Sequence, residues 1–327
     1  MPQPTMRSLH VDRPLTDISV AYMNAQEDYI AGKVFPIVKV PKQGDKYFQY
    51  SKAHWFRDEA KKRAPGTSTS GGGFDMDEPP TFFCDEWGYH MDVPDEHAEN
   101  QDLPIDILAD ATRFVTDKML MRREKLFVTR YFTTGIWGTD YSGVASAAGA
   151  QQAVQWDLSG SAPIQDIIEM KQKVARTTGK TPNTLVISAL AMEALKQHSD
   201  VIDRYKYTQA GVMTPDLIAK VLGLSRVLVA GAVMTSSIEG AASSSYDYIF
   251  GRSMLLAYVQ DPPTVLQPSA GYTFSWNKWG SDIGVFQYYI RENRATRVEA
   301  SMYLDMKLIA ADLGIFCNNI ISAGFAS

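Results

Sequence analysis

The densest group of potential metal ligands and acid–base residues lies between residues 86 and 99. Carboxylates and imidazoles at this density are able to bind a divalent cation. However, the first members of the group alternate with apolar residues, as side chains on the solvent face of a strand do. The favoured interpretation is therefore a solvated strand face, with a metal-dependent enzyme as a distant alternative. The group consists of Glu86, His90, Asp92, Asp95, Glu96, His97 and Glu99.

Two further patterns match a catalytic signature only in part. The sequence Gly179-Lys180-Thr181 lacks the glycine that a phosphate-binding loop needs five residues earlier, because Val174 occupies that position. It is instead typical of a helix end followed by a turn. Cys84 and His90 resemble a nucleophile and its base, but no orienting residue or oxyanion-hole signature accompanies them. The sequence predicts no catalytic residue, no metal and no cofactor.

The composition of the chain limits the classes of protein to which it can belong. The chain has 327 residues, 45% of them hydrophobic and 21% charged, which is normal for a soluble and well-packed protein. Its net charge of −5 argues against tight wrapping of nucleic acid, which needs clustered lysine and arginine. Two distant cysteines imply no disulfide framework. We find no membrane-spanning run and no signal peptide, so we expect an intracellular product that leaves the cell only within a particle.

Residues 34–93 form an aromatic-rich segment with two extended runs joined by a loop. Residues 34–40 alternate as an edge strand would, and residues 46–56 form a second extended run. A tip rich in Gly, Ser and Pro follows at residues 63–80, and residues 81–93 return with apolar side chains at every second position. This pattern predicts a long hairpin with one apolar face, which a thin ribbon cannot bury by itself.

We therefore expect the aromatic and apolar residues of this ribbon to contact a neighbouring subunit. An alternative is a base-stacking platform for single-stranded nucleic acid, but nearby carboxylates cancel the charge of its lysines. Tyrosine and tryptophan are also the residues that carry much of the energy of protein interfaces. The predicted interface residues are Tyr47, Phe48, Trp55, Phe56, Phe83, Trp87, Tyr89, Met91 and Val93.

A single helical pattern of unusual length follows the ribbon. Apolar residues recur at three- and four-residue spacing through residues 103–132, with Asp102 as the expected cap and Pro104 in the first turn. Such a helix would be roughly 45 Å long. Residues 141–152 are predicted to be a linker of small residues. From residue 153 onward, alternating helices and strands predict an α/β body that ends in extended segments between residues 285 and 321.

The order of these parts resembles the tailed-phage major capsid protein of the Hong-Kong-ninety-seven-type fold, which encapsulin shells share. The resemblance covers nearly the whole chain and rests on the number and order of its segments. It implies an α+β fold with an N-terminal arm, an extended hairpin loop, a long spine helix in a peripheral domain and an α/β axial domain. The segments that carry it are VFPIVKV at 34–40, KYFQYSKAHWFRDEAKKRAPG at 46–66, FFCDEWGYHMDVPDE at 82–96 and DATRFVTDKMLMRRE at 110–124.

The resemblance also implies the division of the chain and its partners. The arm would span residues 1–44, the loop 45–93, the peripheral domain with its spine helix 94–154, and the axial domain 155–255, while residues 256–327 return to the peripheral strands. The protein would assemble with itself into hexamers and pentamers of an icosahedral shell around phage double-stranded DNA. Its other partners would be a separate scaffold protein, a portal and decoration proteins, with no membrane. An encapsulin-like compartment is the alternative function.

Overall fold

A computed structural model describes residues 23–47, 52–73, 79–100, 106–205, 213–238, 245–263, 268–278 and 281–325. The predicted Asp102 cap, Phe48 and the first half of the predicted arm lie outside these ranges. The helices are α1 (Ala31–Val34), α2 (Lys52–Trp55), α3 (Asp95–Glu99), α4 (Ile107–Tyr131), α5 (Pro163–Thr178), α6 (Ala189–Gln197), α7 (Ser199–Tyr205) and α8 (Pro215–Leu222), with single 3-10 turns at Gln26–Asp28 and Ala311–Leu313.

The strands follow the same numbering from the N-terminus. They are β1 (Ile37–Val40), β2 (Gly44–Lys46), β3 (Thr81–Phe83), β4 (Asp85–Pro94), β5 (Asp140–Val144), β6 (Gln152–Val154), β7 (Thr184–Ser188), β8 (Arg226–Ala230), β9 (Val233–Thr235), β10 (Tyr246–Tyr248), β11 (Met254–Ala257), β12 (Gly271–Trp276), β13 (Gly284–Ile290), β14 (Ala295–Leu308) and β15 (Gly314–Asn318).

The first sheet is organised around the long strand β14. On one side β14 pairs antiparallel with all of β4, from Asp85 opposite Leu304 to Pro94 opposite Ala295. On the other side it pairs first with β13 and then with β12. Strand β1 adds to β12 in parallel at the edge of the sheet, as the prolines at positions 36 and 41 predicted.

Helix α4 lies across this sheet and contacts both β14 and β4. The side chain of Asp106 caps it by accepting the backbone N–H groups of Leu108 and Ala109, each at 3.1 Å. At 1.5 Å per residue the helix is about 37 Å long. One apolar stripe faces the sheet and is buried, consisting of Ile107, Ala111, Val115, Met119, Phe127 and Tyr131.

The second sheet has six strands in the order β6-β5-β15-β11-β7-β8, with β7 buried along its whole length. Helices α5 to α8 pack against its apolar residues. Pro163 lies in the first turn of α5, and Gly179 ends that helix in the left-handed conformation with φ 65°, as a helix-end role predicts. Thr214 caps α8 and Gly223 closes it with φ 60°.

Two sequence predictions were wrong about local structure. Residues 46–56 are not one extended run, because Lys52–Trp55 form a helical turn and only Gly44–Lys46 pair with Thr81–Phe83. Residues 141–152 are not simply a linker, since β5 and β6 add in parallel to the edge of the second sheet through β15. A small residue is required at Gly143, because the backbone of Asn319 lies where a Cβ would be.

Candidate assembly surface

Four of the predicted interface residues lie on the face of β4 that covers helix α4. Val93 is 1% exposed and belongs to the core shared by the first sheet and the helix. Trp87, Tyr89 and Met91 are half-buried against the same core. Strand β4 pairs with β14 and its apolar side packs on the chain's own long helix, so the chain itself covers Val93 and part of the other three side chains. That a neighbouring subunit contacts what remains exposed stays a prediction.

The contacts of these residues are specific. The guanidinium of Arg122 lies 4.0 Å from the centre of the Trp87 ring, and the Tyr89 and Phe114 rings meet edge to face at 6.0 Å. All four side chains project from alternate positions of one strand, so they share a single face. The buried part of their apolar area therefore contributes to folding of the subunit.

Tyr47 also packs within its own chain. Its ring stacks on Phe274 with 5.6 Å between ring centres, and Phe82 stacks on the same Phe274 ring at 4.4 Å. Cys84 is fully buried beside them, and burial raises the pKa of its thiol to about 11. Such a thiol stays protonated at neutral pH, which removes Cys84 as a nucleophile.

The remaining predicted residues within the described ranges are strongly exposed. Trp55, Phe56 and Phe83 have exposed fractions of 61%, 65% and 56%. The base of their loop is held by an ion pair of 2.9 Å between Lys52 Nζ and Asp312 Oδ2. Beyond it, residues 57–73 are exposed without interruption and form no regular element. These large apolar side chains stand at the base of a projecting segment that has almost no core of its own.

A second exposed surface, which the sequence analysis missed, lies on strand β13. Among the strands of the described residues, β13 pairs only with β14 and therefore lies at the edge of the sheet. Five consecutive residues are exposed, namely Val285, Phe286, Gln287, Tyr288 and Tyr289. Natural proteins usually protect such an edge with lysine, proline or a bulge, and this strand has none of these residues. The absence of protecting residues from an aromatic strand was the sequence signal for an interaction edge.

The group of carboxylates and histidines between residues 86 and 99 is dispersed by the fold. Asp92 accepts from Arg297 Nε at 2.6 Å and Nη2 at 2.8 Å, and this pairing holds the pKa of its carboxyl below the usual range. Asp95 accepts from the Tyr289 hydroxyl at 2.6 Å. Throughout the described ranges, no three His, Cys, Asp or Glu side chains come together as a metal site would require. In the same part of the chain, no helix is both long and apolar enough to cross a bilayer.

Sequence comparison relates the chain to phage proteins. A model of the family "Phage major capsid protein E" matches residues 143–230. A major capsid protein of Burkholderia phage BcepMu is 25% identical over 320 residues, which covers 95% of this chain and 96% of that protein. A major capsid protein of Pseudomonas phage JBD67 is 23% identical and covers 96% of this chain and 98% of its own length.

Structure comparison relates the fold to solved shells. A phage-related protein from Bordetella bronchiseptica has a TM-score of 0.68 at 23% identity and covers 91% of this chain and 94% of its own. The capsid of Cyanophage P-SCSP1u has a TM-score of 0.61 at 11% identity, with 95% and 93% covered. The SrpI encapsulin of Synechococcus elongatus has a TM-score of 0.56 at 12% identity, with 100% and 98% covered. The predicted α+β capsid fold class is confirmed.

Proposed function

We propose that this chain, which is a phage major capsid protein by its sequence similarity and its fold, assembles with itself through its projecting loop and its open sheet edge. The resemblance predicted from the sequence is confirmed by full-length similarity to two phage capsid proteins and by a common fold. Self-assembly into a shell follows from that identity. The role of each surface and the identity of the other partners are our proposals.

The observation that carries the proposal is the exposed loop between residues 55 and 73. Its large apolar side chains, Trp55 and Phe56, remain in water in the isolated chain. Docking on a second copy would remove them from water and contribute about 25 cal/mol for each Å² of apolar surface covered. A solitary soluble subunit gains nothing from such a segment, whereas a shell subunit gains a contact with each neighbour.

Strand β13 is the proposed receiving surface on the neighbouring subunit. An extended segment that adds to an open strand edge satisfies the backbone groups of both. The loop is basic between positions 57 and 63, with four basic residues and two acidic ones, while the strand is flanked by carboxylates and by Arg291, Arg294 and Arg297. The basic residues are Arg57, Lys61, Lys62 and Arg63, and the flanking acidic residues are Asp95, Glu96, Glu292 and Glu299.

In this proposal the five regions keep the roles that the resemblance implies. Residues 1–44 are the arm, 45–93 the extended loop, 94–154 the peripheral domain, 155–255 the axial domain, and 256–327 the return. The subunits form hexamers and pentamers of an icosahedral shell, assembled in the host cytoplasm around a separate scaffold protein. A portal and decoration proteins join it, and packaged double-stranded DNA meets the inner face without sequence-specific contacts.

The protein acts as a structural subunit and not as an enzyme. The dispersed carboxylates and the protonated Cys84 thiol support this part of the proposal. An encapsulin-like compartment is the second candidate, since an encapsulin shares the fold. We favour the phage shell because both sequence relatives described above are phage capsid proteins. Protein cargo in purified shells would favour the compartment instead.

A pair of tryptophan substitutions tests the assembly surface. Trp55→Asp places a charge on an exposed side chain, so the subunit should keep its melting temperature and lose the ability to form particles. The matched control Trp87→Asp disrupts the contact with Arg122, so it should lower the melting temperature by several degrees. Thermal unfolding, sedimentation and electron micrographs of the concentrated protein provide the measurements. Intact Trp55→Asp particles would rule out this loop as an essential contact.

A further inference from the structure

Glu124 is a carboxylate buried at the joint between the N-terminal segment and the long helix α4. It is 0% exposed, although it belongs to a residue type that is almost never buried without a partner. Its Oε1 accepts the backbone N–H of Ala31 at 2.7 Å, and the N–H of Ile30 also donates to it. The side chain therefore fixes the start of α1 on the middle of the long helix.

The polar groups around this joint are incompletely satisfied. Glu124 Oε2 is buried without a hydrogen-bond partner, and so are the Nε atoms of Arg122 and Arg123 and the Oδ1 atom of Asp282. Arg123 packs so closely on Gly32 that a Cβ there would lie 2.9 Å from its Nη2. Unsatisfied buried polar groups are costly, so they lower the free energy needed to open this joint.

Other contacts hold the same segment without depending on this carboxylate. The Tyr29 hydroxyl donates to Asp117 Oδ1 at 2.6 Å, and Arg226 Nη2 donates to the Val34 carbonyl at 2.8 Å. Asn24 bonds both backbone groups of Val233. The segment is thus attached at several points, and only the contact at Ala31 uses a fully buried acid.

We propose that Glu124 is a pH-sensitive latch, which holds residues 30–34 on the long helix when protonated and favours their release when ionised. The inference concerns one chain and stands apart from the proposed assembly surfaces. The titratable and charged groups that face the latch are Tyr29 and Lys33 from the N-terminal segment, Asp117 and Arg123 from its own helix, and Asp282 from the turn before β13.

The direction of the pH effect follows from burial. Burial raises the pKa of Glu124 to about 7, against an ordinary value of 4.5. In the released segment the carboxyl would be solvated and would ionise at its ordinary pKa. Between pH 4.5 and pH 7 the carboxyl is ionised mainly in the open form, so a rise in pH favours opening. The equilibrium constant for opening should therefore rise on the order of a hundredfold from pH 5 to pH 8 and level off above pH 7.

Hydrogen exchange of the full-length chain, followed by mass spectrometry, tests the latch. Protection of peptides covering residues 23–36, corrected for the intrinsic pH dependence of exchange, should fall strongly between pH 5 and pH 7. Peptides from the buried strand β7 should show no such change. In Glu124→Gln the amide still accepts the Ala31 N–H and cannot ionise, so protection should be independent of pH.

Asp110→Asn is the matched control, because it removes an exposed carboxylate from the same helix and should leave the wild-type pH profile unchanged. A wild-type profile without a pH dependence, or a Glu124→Gln profile identical to it, would overturn the latch and leave the capsid role intact. If Glu124→Gln does not fold, the carboxyl carbon of Glu124 can be titrated by NMR in the wild-type chain. A midpoint near 7 would support the latch, and one near 4.5 would refute it.

Discussion

Phe127 is the residue at which three parts of the chain meet. Its ring lies 5.8 Å from that of Phe35 near the N-terminal segment, 4.8 Å from that of Tyr131 on the same helix, and 5.9 Å from that of Phe250 beside the second sheet. The side chain is completely buried. Rings in contact at these distances add specific geometry to the burial of apolar surface, so this position joins the two halves of the protein.

Truncation of the Phe127 side chain should strongly lower the free energy of unfolding. We expect Phe127→Ala to lower the free energy of unfolding by about 3–5 kcal/mol, because it leaves a cavity among the rings of Phe35, Tyr131 and Phe250. Phe114→Ala, on the same helix and 42% exposed, should lower it by less than about 1 kcal/mol. Urea unfolding followed by circular dichroism measures both. Equal losses in the two variants would contradict the joining role of Phe127.

The long helix is an element whose start is set by a single side chain. Asp106 has an extended backbone, and its carboxylate accepts two N–H groups that have no partner within the helix. The preceding residues predicted an earlier start at position 103, with Asp102 as the cap. Asp102 lies outside the residues that the structure describes, and the spacing of apolar residues alone did not single out Asp106 as a cap.

Removal of the cap tests this assignment. Asp106→Ala should lower the free energy of unfolding by about 0.5–2 kcal/mol, whereas Asp106→Asn should cost much less, since asparagine is an equally good cap. Thermal and urea unfolding measure the difference. Hydrogen exchange in the first turn of α4 should rise in Asp106→Ala alone. An equal loss of stability in the two variants would show that charge near the helix start matters more than the cap.

At the scale of the whole molecule, the protein divides its apolar surface between folding and assembly. The apolar face of β4 is used within the chain, whereas the loop around Trp55 and the edge of β13 remain exposed. An open strand edge presents unpaired backbone groups to any other extended chain. The isolated subunit is therefore expected to associate, and in the proposed shell both surfaces would be covered.

A lysine on the open strand tests its role in the shell. Val285→Lys adds the kind of charge with which natural proteins block strand pairing, so particle yield should fall while the melting temperature stays within a few degrees. Ile202→Lys on α7 is the matched control, because the two side chains are 40% and 44% exposed. Size-exclusion chromatography and electron microscopy count the particles. Normal yield from Val285→Lys would exclude the edge as an assembly contact.

The sequence by itself determined the elements whose signals are local. The alternating helices and strands that follow residue 153 were predicted because short apolar runs, caps and helix-ending glycines act over a few residues. The order of such elements also sufficed for the resemblance to capsid proteins. Even the alternation of residues 83–93 correctly indicated a strand with one apolar face.

Only the tertiary structure decided what covers that face. The alternating pattern indicates that one side of strand β4 is buried, but it does not identify what covers that side. In the structure β4 pairs with β14, a strand about two hundred residues later, and helix α4 packs on its apolar face. Glu124 is likewise buried by a contact with Ala31, which lies 93 positions earlier in the chain. These contacts depend on residues far apart in the chain, for which local patterns carry no signal.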